Sequence, residues 1–258
     1  MAIGSIGFIG GGRITRIILK GFQNAGVGFE NIVVSDISAE ILNALKRDFP
    51  DISVVQNDNQ CPAGQDLVFI SLHPPVMAAL MQEIRHHLKP ESIVVSLAPK
   101  FTVSKLTELL GGFSRIIRMN PSAPSVVNSG FNPVYFSDDI SEDERSEFMK
   151  IMEPLGDTPV VAEEKIEAYA LFTAMGPTYF WFQFYELMKI VEGFGLSEQE
   201  SRLGLEKMLD GSLKTMFSGL EPAEVMDLVP VKPIGDGEEM IKNLYREKLS
   251  QIYARIKP

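Results

Sequence analysis

Strand-like apolar runs and helical patterns alternate through the first half of the chain. The runs lie at 2–9, 31–35, 52–55, 66–72, 91–97 and 113–119, with helical periodicity at about 13–24, 38–48, 75–87 and 102–110. This alternation predicts a doubly wound parallel sheet with helices on both faces. Val68-Phe69-Ile70-Ser71-Leu72 and Ile93-Val94-Val95-Ser96-Leu97 are nearly unbroken apolar runs, as strands covered on both sides must be. A short strand near 133–136, a charged helix near 141–152 and a strand near 158–161 are expected to extend the same sheet. From about Glu163 strand signals stop and long helical patterns take over. Gly176-Pro177 interrupts that run and sets Pro177 at a new first turn, where its missing N–H does no harm. The helix from Thr178 to Phe194 carries Tyr179, Phe180, Trp181, Phe182, Phe184 and Tyr185, and is apolar nearly all round. Such a helix is buried on more than one side, and a small helical domain cannot do that alone, which points to a subunit interface. Another helix is expected from about Ser197 to Phe217, then a Pro- and Gly-rich loop over 230–237 and a terminal helix.

The junction of the first strand and first helix carries the chemistry. Ile6-Gly7-Phe8-Ile9 runs straight into Gly10-Gly11-Gly12-Arg13-Ile14-Thr15. Gly10 permits a tight turn, and Gly12 lets a pyrophosphate approach the backbone. The helix beginning there offers unpaired N–H groups and a positive dipole end. Thr15 stands where Gly or Ala is usual, so slightly wider helix–strand packing is expected. The next strand, Ile32-Val33-Val34-Ser35-Asp36, ends in a carboxylate that can accept hydrogen bonds from adenosine ribose hydroxyls. A 2′-phosphate there would meet like charge, at a cost on the order of several kcal/mol. The next basic residue is Lys46, far along a helix. NAD(H) is therefore favoured, with NADP(H) still possible; the alternative for Asp36 is a cap on the helix starting near Ser38. The fold class is thus α/β: a Rossmann-type doubly wound sheet over 1–161, followed by an all-α dimerisation and substrate domain over 162–258.

Composition narrows the partners. The 258 residues are 45% hydrophobic and 22% charged, as in an ordinary globular protein. A net charge of −10 argues against nucleic acid or an anionic membrane as partner, and no apolar run approaches the roughly 20 residues needed to span a bilayer. The single cysteine, Cys61, excludes an internal disulfide framework and suits a reducing cytoplasm. No leader pattern precedes the first strand, which argues against secretion. No spacing of His, Cys, Asp and Glu suggests a metal. His86-His87 at a helix end read as structural.

Together these segments resemble pyrroline-5-carboxylate reductases over most of the chain. The likeness is carried by the opening strand and glycine turn and by Asp66-Leu67-Val68-Phe69-Ile70-Ser71-Leu72-His73-Pro74. Three further segments share it: Arg118-Met119-Asn120-Pro121-Ser122-Ala123-Pro124; Met175-Gly176-Pro177-Thr178-Tyr179 with Glu186 beyond; and Leu228-Val229-Pro230 through Gly237. The resemblance implies a Rossmann domain holding a nicotinamide cofactor and a helical domain intertwined with a second subunit, the active site lying between them. It also implies NAD(P)H-dependent reduction of 1-pyrroline-5-carboxylate to proline in the cytoplasm, by a homodimer or higher homo-oligomer. The match departs from the family pattern at His73, at Ser122-Ala123 and at Asp236-Gly237. Asp236 near a substrate carboxylate would cost roughly 1–4 kcal/mol, although Pro233 and Gly235 leave a backbone anion nest available. A related oxidoreductase with another small imine or oxo substrate, and a non-catalytic dinucleotide-binding protein, are the alternative readings; Asp236 would suit a cationic amine.

Hydride transfer to a C=N bond asks for positioning and exclusion of water rather than a nucleophile, with a general acid only if the imine arrives unprotonated. Thr178, Asp236 and Lys100 are the catalytic candidates. Cofactor contacts are expected from Gly10, Gly12, Arg13, Ile14, Ser35, Asp36, Ser71, His73, Pro74 and Ala98, and substrate contacts from Ser122, Met175, Gly235, Asp236 and Gly237. Plainer readings stand beside several of these: His73 bonding within a loop, Lys100 and Glu186 solvated, Asp236 capping the last helix.

Overall fold

A computed structural model describes residues 3–72 and 74–258, and of Pro74 the backbone only. In chain order β1 (Ser5–Ile9), α1 (Arg13–Asn24), β2 (Asn31–Asp36), α2 (Ala39–Asp48) and β3 (Ser53–Gln56) alternate. The short α3 (Gln60–Ala63), β4 (Leu67–Ile70), α4 (Met77–Ile84), β5 (Ile93–Ser96), α5 (Val103–Leu109) and β6 (Ile116–Met119) follow. Then come β7 (Gly130–Phe131), β8 (Val134–Phe136), α6 (Glu142–Met152), β9 (Gly156–Asp157) and α7 (Ile166–Tyr169). The sheet order is β3-β2-β1-β4-β5-β6-β8, parallel except for the antiparallel edge strand β8. Every residue of β4, β5 and β6 is buried. One face of the sheet packs on α1 and α6 through Phe8, Ile18, Phe22, Phe69 and Phe148, with Phe8 stacked on Phe69 at 4.9 Å between ring centres. The other face takes α4, whose Met77, Leu80, Met81 and Ile84 recur at helical spacing and are all buried.

Two expectations shift. The strand expected near 158–161 is β9, two residues earlier, and it pairs with β7 in a separate two-stranded sheet. Val160 meets Val134 in a single bridge only. Pro159 accepts the Val134 N–H at 2.9 Å but has no N–H of its own to extend a ladder. The helix expected over 75–87 opens as a 3-10 turn, Pro74–Val76, and its α-helical part ends at Ile84.

The chain divides into two compact units, 1–175 with 252–258, and 176–251, against an expected boundary after 161. Residues 163–175 stay with the sheet because Arg118 of β6, itself 1% exposed, pairs with Glu163 and Glu167. The second unit holds α8 (Pro177–Gly193), α9 (Glu198–Met216), α10 (Pro222–Asp227) and most of α11 (Glu238–Ile256). Pro177 sits in the first turn of α8, and Ser197 caps α9 with a capping box closed by Glu200. Among the described residues no helix is long and apolar enough to cross a membrane. No residue of α8 is buried: Trp181, Phe182 and Tyr185 are 46%, 67% and 72% exposed.

Candidate functional site

The parallel strands point their carboxyl ends at one edge, and the order reverses at β1, flanked by β2 on one side and β4 on the other. Such a switch point opens a crevice where ligands of open α/β sheets gather. Gly10 leaves β1 there with φ +101°, a left-handed backbone natural only to glycine, and its N–H donates to Ser35 O at 2.8 Å. A Cβ on Gly10 would lie 2.8 Å from Ser71 O. Thr15 is buried, and its hydroxyl donates to Gly10 O at 2.5 Å. Rather than simply widening the helix–strand contact, it locks the turn from inside the helix.

Helix α1 then begins without a cap. Gly12, the N-cap residue, has no side chain to accept a first-turn N–H, and the first turn contains no acidic residue. By contrast α2, α5 and α6 are capped by the hydroxyls of Ser38, Thr102 and Ser141. A Cβ built on Gly12 meets nothing within 4 Å. The space beside Gly12 is therefore open, at the helix end whose first N–H groups no side chain caps, as binding of an anion requires. Arg13, exposed at the first helical position, puts a positive charge at the positive end of the dipole. An anion there offsets that repulsion.

Asp36 closes the turn from the β2 side. One carboxylate oxygen accepts the Gly11 N–H at 2.8 Å and the other accepts the Ser38 N–H at 2.9 Å. Ser38 itself caps α2, so Asp36 joins the glycine turn to the start of that helix rather than capping it alone. Lys46, the nearest basic residue after Asp36, is engaged elsewhere, donating to Pro50 O at 2.8 Å and Ile52 O at 2.7 Å.

The remaining expected positions fall into two groups. Ile14, Ser35, Ser71, Ala98 and Lys100 share the carboxyl edge with the glycine turn. Ser35 contributes through its carbonyl, since its hydroxyl donates to Asn59 Oδ1 at 2.8 Å. The Ser71 hydroxyl is buried with no hydrogen-bond partner among the described residues, at the end of β4 beside Gly10. Ala98 is buried, while Lys100 is exposed with φ +80°. Ser122 calls for a correction. It is 1% exposed, its N–H donates to Asn132 Oδ1 at 2.8 Å, and its hydroxyl accepts the Phe131 N–H at 2.9 Å. Those bonds tie it into the wall instead of presenting it to substrate. His73 lies outside the described residues, and the Pro74 backbone opens a 3-10 turn. Met175 ends a π-helical segment, Ala170–Ala174, with its N–H donating to Ala170 O at 3.0 Å. In the second unit Thr178 is exposed in the first turn of α8, Glu186 is exposed further along it, and Asp236 is exposed in the 3-10 turn Gly235–Gly237. Among the described residues no cluster of His, Cys, Asp and Glu is built to hold a metal ion.

The buried pair of Arg118 and Glu167, with half-buried Glu163 beside it, escaped the sequence reading. Its signal was there: a lone arginine inside the apolar strand Ile116-Ile117-Arg118-Met119 needs a buried counter-charge.

The chain is similar to known proteins. Residues 5–100 match the family model described as NADP oxidoreductase, coenzyme F420-dependent. The chain is 29% identical over 245 residues to a pyrroline-5-carboxylate reductase of Pseudomonas aeruginosa, covering 94% of this chain and 89% of the relative. It is 27% identical over 227 residues to that of Escherichia coli, covering 87% and 84%. The solved pyrroline-5-carboxylate reductase of Coxiella burnetii superposes with TM-score 0.70 at 25% identity, covering 98% of this chain and 94% of that one. The Plasmodium falciparum pyrroline carboxylate reductase with NADP bound shares the fold at TM-score 0.76 and 18% identity, covering 99% and 95%.

Proposed function

The chain belongs to the pyrroline-5-carboxylate reductase family, and from that premise we propose that it catalyses NAD(P)H-dependent reduction of 1-pyrroline-5-carboxylate to proline. The observation that carries the reading is the open glycine turn, with the α1 N-terminus uncapped, Gly12 facing free space and Asp36 bracing Gly11. These residues fit a pyridine dinucleotide: the α1 N–H groups and Arg13 hold its pyrophosphate, and Asp36 stands at the adenosine ribose. When bound, the reduced dinucleotide supplies the hydride. The chain's own contribution is to orient, to exclude water and to offer polar groups near the reacting bond. For that last task we propose Lys100 at the end of β5, and Thr178 and Asp236 from the helical unit.

Asp36 supports a preference for NADH. Its carboxylate is fixed by two backbone donors, and Lys46, the next basic residue along the chain, is committed to Pro50 and Ile52, so a 2′-phosphate there would meet the carboxylate's charge without help from Lys46. A homodimer or larger homo-oligomer, built on the exposed aromatic face of α8, belongs to the same proposal, as does a cytoplasmic setting for a chain whose single Cys61 has no second thiol to pair with. The deciding experiment is NADH and NADPH oxidation by purified protein with racemic pyrroline-5-carboxylate, proline being quantified as product. Tight NADH binding without proline formation would refute the substrate assignment and favour an imine bearing a cationic group, which the exposed Asp236 would suit.

A further inference from the structure

The loop between β5 and α5 is held by two carboxylates from outside it. Glu167 Oε1 accepts the Lys100 N–H at 3.1 Å, and Glu163 Oε1 accepts the Val103 N–H at 2.6 Å. Both carboxylates are in turn held by Arg118: Nη1 meets Glu163 at 3.1 Å, and Nη2 meets Glu167. Arg118 and Glu167 are 1% and 2% exposed, so this is an interior ion pair, not a surface ornament. Removing either partner would strand a buried charge. Asn120, two residues further along from Arg118, donates to Ile166 O and fixes the same 163–167 segment to the end of β6.

What the clamp holds is unusual. Lys100 has φ +80°, a conformation that a residue with a side chain adopts against a bias of roughly five- to thirty-fold. Left to itself the loop would relax. The bond from its N–H to a charged, buried acceptor opposes that relaxation. Val103, three residues on, is tied at the first position of α5, whose Thr102 cap bonds the Lys105 N–H at 3.2 Å. Phe101 and Thr102 are thereby bracketed between the two held N–H groups.

The loop lies at the carboxyl end of β5, two strands across from the glycine turn. A dinucleotide whose pyrophosphate rests on α1 extends its second half over the ends of β4 and β5. We infer that the Arg118–Glu167–Glu163 clamp is a positioning device that holds the β5–α5 loop in a strained shape to seat the nicotinamide half of the cofactor. Glu167 acts through Lys100 and Arg118, as a positioning residue. This inference rests on the dinucleotide reading above.

The test compares two ligands on the full-length protein. NADH carries the nicotinamide; adenosine diphosphate ribose keeps the adenosine and pyrophosphate but lacks it. Glu167→Met removes the acceptor, and NADH should bind at least about five-fold more weakly while adenosine diphosphate ribose changes less than about two-fold. Glu167→Gln, which keeps an acceptor oxygen, should restore most of the loss. Lys100→Gly added to Glu167→Met should recover at least half of it on a logarithmic scale, because glycine adopts the left-handed shape without help. If Glu167→Met fails to fold, Glu163→Met, which removes the acceptor of the Val103 N–H, loosens the other arm and takes the same comparison. Equal weakening of both ligands, or no weakening of either, overturns the clamp. A wild-type protein that binds neither ligand overturns the cofactor reading and the clamp with it, whereas NADH loss in the variant supports the clamp even where no proline is formed.

Discussion

Gly12→Ala separates folding from binding at the proposed cofactor site. Gly12 has φ −69°, which alanine accepts, and a methyl group there meets no atom within 4 Å. No atom of the folded protein clashes with the substitution. A Gly→Ala change gains about 0.4–1 kcal/mol through the unfolded chain and gives back a similar amount because alanine is a poorer N-cap than glycine, so Tm should stay within roughly 4 °C of wild type. The same methyl group occupies the space through which a pyrophosphate reaches the α1 N–H groups. Losing two charge-assisted hydrogen bonds at about 1.5 kcal/mol each weakens NADH on the order of 100-fold. Isothermal titration with NADH, beside thermal unfolding without ligand, reads both quantities. Gly10→Ala is the contrasting control: φ +101° and a Cβ 2.8 Å from Ser71 O make it a folding mutation, with Tm falling by several degrees. A Gly12→Ala protein of unchanged or raised Tm that binds NADH like the wild type would remove the pyrophosphate from α1.

Other substitutions probe separate links. Asp36→Ser should raise the NADPH/NADH affinity ratio at least about tenfold, since two unit charges at 4 Å in a surface-like dielectric repel by about 4 kcal/mol before screening; an unchanged ratio means that the carboxylate does not read the ribose. Phe182→Glu with Tyr185→Glu on the exposed face of α8 should lower the assembly mass in light scattering, and an intact assembly would remove that face from the interface. Asp66 links β1 to β4: its carboxylate accepts from Ser5 Oγ at 2.8 Å and from Lys89 Nζ at 2.7 Å. Burial pushes its pKa up, but the Lys89 and Ser5 hydrogen bonds and the Lys89 charge outweigh it, so the carboxyl sits below its ordinary value. The stabilisation is thus present above the unfolded pKa of about 3.9 and is lost as pH falls through the lower folded one. Urea unfolding of wild type and Asp66→Asn should show a gap at neutral pH that closes on acidification; a gap constant with pH would sink the assignment.

What could be read along the chain was local. The buried strands announced themselves as unbroken apolar runs, and the turn as three glycines between strand and helix. Pro177 marked a helix start, and the aromatic density of α8 marked a face that the unit itself leaves uncovered. What escaped depends on residues far apart in sequence. The bond from Gly11 to Asp36 spans 25 positions, and Ser122 is turned inward by Asn132 and Phe131, a strand away. The boundary after residue 161 missed the 163–175 segment because that segment is anchored by ion pairs 45 and 49 residues long in sequence, which leave no periodicity behind. In the sequence Lys100 is a catalytic candidate at a strand end, with a solvated side chain as its plainer reading. Its backbone angle, which no composition reveals, is what singles it out.

The bare start of α1 also bears on how long the protein lasts. Ser, Thr or Asp at position 12 would close that helix and add a few tenths of a kcal/mol of stability, yet would compete with an incoming phosphate for the same donors. The chain instead leaves those donors for its ligand to satisfy. Bound at 100 times its dissociation constant, such a ligand stabilises by about 2.7 kcal/mol, more than a side-chain cap provides. Resistance to heat and proteases should therefore rise and fall with the surrounding dinucleotide pool, whatever its redox state.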